Sequence, residues 1–160
     1  MSMNTTVTQR LEALGIELPE AVAPLAAYVP AKASGSLVYT SGQLPMVAGG
    51  LPATGKVGDG HGLVPASDAK DYARRCAINA IAAAGALVGG VDKLTGVLRV
   101  TGFVAADPAF TAIPGVINGA SELLGEVFGE AGAHARSAVG VAVLPLDSPV
   151  EVEVIFEFAG

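Results

Sequence analysis

The chain has 160 residues, the size of about one ordinary domain, so it can bury a single sizeable core. Hydrophobic residues make up 51% of it and charged residues only 15%, below the roughly 25% of average domains, which excludes a disordered chain. The net charge is −6 and no cationic run is longer than Arg74-Arg75, which disfavours nucleic acid as a partner. The low charge favours burial of apolar surface between subunits.

Cysteine content and hydropathy indicate the compartment. The single cysteine, Cys76, cannot form an internal disulfide or a paired-cysteine zinc site, and we expect it to be a small buried apolar residue. No segment approaches the roughly 20 apolar residues of a membrane helix, and the first ten residues do not resemble a signal peptide. We therefore expect a cytoplasmic protein with no membrane association.

The first half of the chain predicts little regular structure. A short helix is expected over residues 6–14, within an N-terminal extension (residues 1–23) that precedes a single domain at 24–160. Residues 37–40 are rich in β-forming side chains and bounded by glycines, which predicts a strand in a hairpin region. Residues 47–64 are dense in glycine and predict turns.

The second half alternates helices and strands. Ser67 is a suitable N-cap for a helix that ends near residue 88. A strand is expected at 97–104, and a second long helix begins near Pro114 and ends at Gly129. The last two strands, at 136–144 and 150–158, are separated by only a short proline-containing loop and predict a hairpin. The order indicates an α+β fold with helices covering one sheet face.

Arg136 is the first candidate for chemistry, because a guanidinium binds a carboxylate through two parallel hydrogen bonds. On its own face it is followed by residues with almost no side chain: Ala138, Gly140 and Ala142. Such a floor leaves space for a ligand or a neighbouring subunit. The opposite face is expected to join the core: Ser137, Val139, Val141 and Val143. The alternative is a surface arginine paired with an acid of the adjacent strand.

Glu151 is the second candidate, since its strand places three carboxylates on one face, although a solvated face is the alternative. A symmetric hairpin would put Arg136 opposite Glu157, and Glu151 opposite Ala142, which separates Arg136 from Glu151 by roughly 20 Å. The two residues can then share a site only through another register, strong coiling or a subunit boundary. His134 either lines the opening beside Arg136 or is an exposed loop residue.

Several segments together resemble the RidA/YjgF family of reactive intermediate deaminases, also known as L-PSP endoribonucleases. The resemblance covers about residues 24–158, and the chain is similar to a longer, less characterised branch. The matching segments are Val38-Tyr39-Thr40-Ser41-Gly42-Gln43-Leu44-Pro45, Ala135-Arg136-Ser137, Leu144-Pro145 and Val150-Glu151-Val152-Glu153.

The resemblance implies a chorismate-mutase-like fold, with a mixed, mainly antiparallel sheet and two helices packed on one face. It also implies a homotrimer with a ligand cleft at each subunit boundary. Arg136 matches the arginine that binds the substrate carboxylate, and Glu151 the glutamate associated with the hydrolytic water. The remaining substrate-binding matches are Ser41, Gly42, Asn118 and Tyr28. Ala138 replaces a family cysteine, which leaves the substrate's identity open.

The implied reaction is hydrolysis of a reactive 2-imino or 2-enamino acid to a 2-keto acid and ammonia. The imine carbon is already electrophilic, so the resemblance implies no cofactor. The main alternative is a non-catalytic trimer that senses small carboxylates, in which Glu151 would be dispensable. An endoribonuclease is a third possibility, and the net charge of −6 disfavours it.

Overall fold

The computed structural model describes residues 4–20 and 27–160, so the expected boundary between residues 23 and 24 lies outside the described residues. Short 3₁₀ turns precede β3, follow α3 and precede β5. The helices and strands are α1 (Val7–Ala13), β1 (Ala31–Ser34), β2 (Leu37–Thr40), α2 (Ala66–Val88), β3 (Leu94–Ala105), α3 (Ile113–Phe128), β4 (Ala135–Val141) and β5 (Val150–Phe158).

The five strands form one mixed sheet in the order β1-β2-β5-β3-β4. β3 and β4 run parallel, and the other neighbouring strands are antiparallel. α2 packs against β5, and α3 packs against β3 and β4, so the expected α+β architecture with helices on one sheet face is confirmed. Among the described residues, no helix combines the length and apolar character needed to cross a bilayer.

The predicted element bounds hold best where the sequence alternates. β2 and β5 begin and end as expected, whereas β3 starts three residues earlier than predicted, at Leu94. Ser67 is not an N-cap, because α2 begins at Ala66 after the extended residue Pro65. α1 begins after Thr6, whose hydroxyl accepts a hydrogen bond from the backbone N–H of Gln9 in a capping box.

The predicted hairpin between the last two strands is wrong. β4 pairs in parallel with β3 at the sheet edge, and β5 lies between β2 and β3. α3 supplies the crossover that a parallel β3–β4 pair requires. The short connection after β4 then passes the end of β3 rather than turning back on β4, and it contains two residues with positive φ, Leu146 and Asp147.

The core assignment for β4 is also reversed. Val139 and Val143 are 44% and 71% exposed, so they do not join the core. Arg136 instead pairs with the fully buried Val100, which places it on the helix-covered face. Ala138 packs against the core on the same face. The small residues after Arg136 therefore make room for α3, and the opposite face of the edge strand is open.

The two long helices approach closely at Gly119. A Cβ at this position would overlap the backbone carbonyl oxygen of Lys70 in α2. Because two backbones meet there, no side-chain rearrangement can relieve the overlap. Gly119 is thus a requirement of the α2–α3 packing that holds α3 against β4.

We predict that Gly119→Ala lowers the free energy of unfolding by about 1–3 kcal/mol, as expected for overpacking of a core contact. Urea denaturation measures the change. Gly125→Ala is the matched control in the same helix, because a Cβ there has no neighbour within 4 Å. It should raise stability by up to about 1 kcal/mol. Equal effects of the two substitutions would contradict the close approach.

Candidate functional site

Arg136 lies near the start of the edge strand β4, and its half-buried side chain reaches α3. Its Nη1 donates a 2.8 Å hydrogen bond to Oδ1 of Asn118 and a 3.2 Å hydrogen bond to Oγ of Ser121. Asn118 and Ser121 are three residues apart in α3, so both present their side chains on the same helix face. The structure therefore brings together two of the predicted site residues, Arg136 and Asn118.

No carboxylate neutralises Arg136 within residues 4–20 and 27–160. The ion pairs found there are Lys70–Glu122 and Arg74–Glu126. The alternative of an ion pair with the adjacent strand is therefore wrong for this part of the chain, because the neighbouring residue on β3 is Val100. In the same ranges, neither Nε nor Nη2 of Arg136 has a hydrogen-bond acceptor. The guanidinium is oriented by neutral groups, and no carboxylate of the described residues pairs with it.

Ser121 and His134 extend this cluster. Oγ of Ser121 lies 2.9 Å from Nε2 of His134, and Nδ1 of His134 lies 2.6 Å from the carbonyl oxygen of Gly132. His134 is half-buried, so it is not a fully exposed loop residue. Sequence reasoning missed Ser121, although its spacing of three residues from Asn118 on an amphipathic helix is a signal that could have identified it.

A second cluster lies at the end of β2. The hydroxyl of Ser41 donates a 2.6 Å hydrogen bond to the carbonyl oxygen of Val29, and its backbone N–H donates to Pro30. These bonds fix the segment that carries Tyr28, whose side chain is 66% exposed. The predicted binding residues Tyr28 and Ser41 are thereby held in one region of the chain.

Gly42 places Glu151 in this second cluster. The next residue, Gln43, pairs with Val152 through two backbone hydrogen bonds, which brings Gly42 alongside the start of β5. A Cβ at Gly42 would overlap Oε1 of Glu151. Only glycine therefore leaves room for the carboxylate in its observed position.

The surroundings of Glu151 disfavour the charged form of its carboxyl group. Burial raises its pKa, and the nearby carboxylate of Glu153 raises it further. Both effects disfavour the charged form. A carboxylate with a raised pKa is a stronger base than an ordinary surface glutamate, so the position suits a residue that accepts a proton.

Arg136 and Glu151 do not meet within one chain. Glu151 alternates with the fully buried Val150 and Val152, so it points to the face away from the helices, whereas Arg136 lies on the helix-covered face. Their strands are separated by β3, and their rows in the sheet differ by three residues. Each of these offsets corresponds to roughly 10 Å. The estimate of about 20 Å assumed the wrong pairing, but the conclusion that they are apart stands.

A cavity of about 710 Å³ opens beside the first residues of β3 and β4. His134 lines it together with Glu130 and Glu157, while Arg136, Asn118, Ser41, Gly42, Tyr28 and Glu151 do not.

Cys76 is fully buried, as expected, and the buried environment raises the pKa of its thiol. Ala138 is half-buried and packs against the core.

The chain belongs to the family described as "YjgF/chorismate_mutase-like, putative endoribonuclease", whose sequence profile matches residues 8–158. The chorismate-mutase-like fold is thereby confirmed. Protein TCP17 of Trypanosoma cruzi is 40% identical over 152 residues, which are 94% of this chain and 93% of that protein.

Solved structures agree with this assignment. Atu1372 of Agrobacterium tumefaciens, a protein of unknown function, is 42% identical with a TM-score of 0.87, covering 96% of this chain and 94% of Atu1372. TdcF of E. coli, solved with bound serine, is 29% identical with a TM-score of 0.57, covering 89% of this chain and 94% of TdcF.

The raised pKa of Glu151 predicts a pH-dependent cost in stability. The folded protein holds this proton more tightly than the unfolded chain, so stability falls as the pH rises from the ordinary glutamate pKa through the raised one. We predict that Glu151→Gln is more stable than the wild type at about pH 8, and that the advantage disappears at about pH 3, where both carry no charge. Urea denaturation at the two pH values measures the difference.

Glu157→Gln is the control for this prediction, since Glu157 lies exposed on the same strand face. Its substitution should change stability little at either pH. A Glu151→Gln protein that is less stable than the wild type at about pH 8 would contradict the prediction that the ionised carboxylate of Glu151 destabilises the folded protein.

Proposed function

We propose that the protein is a cofactor-independent hydrolytic deaminase of 2-imino and 2-enamino acids, in which Arg136 binds the substrate carboxylate. The observation that carries the proposal is the state of the guanidinium. It is half-buried, oriented by Asn118 and Ser121, and paired with no carboxylate of the described residues. A fixed positive charge with unused donors is complementary to an anionic ligand.

The relatives support a small carboxylate as the ligand class. TdcF was solved with bound serine, an amino acid that carries a carboxylate. The acidic net charge of −6 argues against a phosphate backbone as the substrate, in spite of the endoribonuclease wording of the family description. The proposed compartment for such a reaction is the cytoplasm.

Glu151 is the proposed group that activates water. It would accept a proton from a water molecule whose oxygen adds to the imine carbon, and it would pass that proton on to the imine nitrogen. Breakage of the C–N bond of the resulting carbinolamine releases ammonia and leaves the 2-keto acid, so one water is consumed for each ammonia released. Positioning and general base assistance of this kind contribute typically 10²–10⁴-fold.

The proposed site lies between two copies of the chain in a homotrimer. Arg136 and Asn118 would come from one protomer, and Tyr28, Ser41, Gly42 and Glu151 from its neighbour. The open sheet face supports an assembly, because it exposes the apolar side chains of Tyr39 and Val139 to 45% and 44%. In this arrangement the separation of Arg136 from Glu151 within one chain is required rather than an obstacle.

The second candidate is a trimeric carboxylate sensor without turnover. The observation that favours it is the same separation, because Arg136 and its neutral partners form a complete anion-binding group without Glu151. The two functions therefore differ in whether the carboxylate of Glu151 is required: the deaminase needs it for turnover, and the sensor does not need it.

We predict that Arg136→Ala abolishes both turnover of iminopyruvate generated in situ and binding of 2-ketobutyrate. Glu151→Gln should lower the turnover rate by about 10²-fold or more while leaving 2-ketobutyrate binding within a few fold. Arg74→Ala is the matched control, since it removes a surface arginine that pairs with Glu126. A wild type that binds 2-ketobutyrate but does not accelerate iminopyruvate loss would establish the sensor instead.

The shared site predicts complementation between inactive variants. When Arg136→Ala and Glu151→Gln chains are co-expressed, a neighbouring pair that supplies Arg136 from one chain and Glu151 from the other is intact. Random assembly of equal amounts gives about a quarter of the wild-type number of sites. Turnover of the purified mixture measures this, and each variant alone is the control. No recovery, or elution of the wild type as a monomer, would refute the shared site.

A further inference from the structure

We propose that Ser121 and His134 are positioning residues for Arg136: His134 holds Ser121, and Ser121 together with Asn118 occupies Nη1, so that a carboxylate binds side-on to the Nε–Nη2 edge of the guanidinium. The inference rests on the proposed carboxylate-binding role of Arg136 and specifies its geometry. It gives a role to Ser121 and His134, which are not among the site residues that the resemblance to known deaminases implies.

The donors of the guanidinium decide which edge is free. Arginine has five N–H donors, two on Nη1, two on Nη2 and one on Nε. Nη1 donates to two acceptors, Oδ1 of Asn118 at 2.8 Å and Oγ of Ser121 at 3.2 Å, which matches its two hydrogens. A bidentate carboxylate can approach end-on through Nη1 and Nη2, or side-on through Nε and Nη2. With Nη1 occupied, only the side-on edge offers two free donors.

Ser121 accepts from Arg136, which has only donors, and His134 determines where the hydroxyl hydrogen of Ser121 points. The carbonyl oxygen of Gly132 only accepts hydrogen bonds, so Nδ1 of His134 carries the proton that it donates at 2.6 Å. In the neutral imidazole, Nε2 then accepts the hydroxyl hydrogen of Ser121 at 2.9 Å. The lone pairs of Ser121 are left for Arg136. Arg136 thus donates to Ser121, Ser121 donates to His134, and His134 donates to the carbonyl oxygen of Gly132, so each hydrogen bond in this chain has a defined direction.

A lone serine would not have this effect. A hydroxyl on a helix rotates and can donate to the carbonyl oxygen of the preceding turn, which would change how it meets the guanidinium. His134 removes that freedom by providing a fixed acceptor. Because Gly132 and His134 lie in the segment that leads directly into β4, the same backbone positions both the histidine and Arg136.

Side-on binding fixes the plane of the carboxylate and hence the position of the adjacent imine carbon. Removing the hydroxyl of Ser121 would free Nη1 and permit end-on binding as a second mode. The ligand would still bind the guanidinium, but its reacting carbon would no longer occupy one position. Turnover should therefore suffer more than binding, because catalysis depends on orientation and the charge attraction does not.

The test uses Ser121→Ala and His134→Phe, with Ser121→Thr and His134→Gln as conservative variants that keep a hydroxyl and an acceptor. We expect kcat for iminopyruvate to fall about tenfold or more in the first pair, with KM raised by about threefold or less. The conservative variants should recover most of kcat. Glu122→Gln, one residue along α3 in the exposed ion pair with Lys70, is the control and should change neither constant.

Binding geometry provides the readout that does not require turnover. A crystal structure of the wild type with benzoate should show the carboxylate on Nε and Nη2, with Asn118 and Ser121 still on Nη1. In the ligand-free protein, nitrogen-15 spectra of the arginine side chain should show Nη1 hydrogens that exchange slowly in the wild type and faster in Ser121→Ala.

Benzoate bound through Nη1 with Ser121 displaced would overturn the inference. It would also be overturned by kcat, KM and exchange rates in Ser121→Ala and His134→Phe that match the wild type. A wild type that binds neither benzoate nor 2-ketobutyrate refutes the proposed function of Arg136, and with it the side-on ligand. Intact binding with unaffected variants refutes only the role of Ser121 and His134.

Discussion

The parallel pairing of β4 with β3 is the constraint on which the candidate site depends. A parallel neighbour requires a crossover, and α3 is that crossover, so the helix that follows β3 must return over β4. This places α3 above the first residues of the edge strand, where Asn118 and Ser121 meet Arg136. An antiparallel β4–β5 hairpin would have left Arg136 beside Glu157, neutralised and without a ligand role.

Neither Arg136 nor Glu151 forms an ion pair with another of the described residues. Arg136 is half-buried without a carboxylate partner in the described ranges. Burial raises the pKa of Glu151, and the nearby carboxylate of Glu153 raises it further. Gly42 gives up a side chain so that Glu151 keeps its position. Groups retained at a cost to stability are typical of sites selected for binding or chemistry. Arg136 lies on the edge strand β4 and Glu151 on the central strand β5, so the proposed site between protomers would bring together groups that one chain keeps apart.

The sequence predicted the features that depend on local pattern and failed where long-range pairing decides. The strict alternation of β5 and the glycine-bounded β2 gave their bounds directly. The loop between β4 and β5 contains turn-forming residues that suit a hairpin equally well, and nothing local distinguishes it from a connection that passes one strand. The wrong assignment of the core-facing side of β4 followed from the same error. Val139 has the character of a core residue, and only the position of β4 at the sheet edge explains its exposure. The spacing of Ser121 from Asn118 indicates a shared helix face, but its contact with Arg136 follows only from the position of α3 over β4.

A site divided between protomers links ligand binding to assembly. A carboxylate held by Arg136 of one copy and by the Ser41–Gly42 region of the next would bind only the assembled form, and any ligand that does so stabilises that form by mass action. The open sheet face has polar and charged residues among its apolar ones, including Glu153 and Arg99, so an assembly through this face would not rest on a continuous apolar surface. In the proposed arrangement, a substrate that bridges the boundary would contribute to the interface as well as to the reaction. In this arrangement, the unpaired guanidinium of Arg136 would stabilise the assembled form as soon as it binds a carboxylate, before any bond of the substrate is broken.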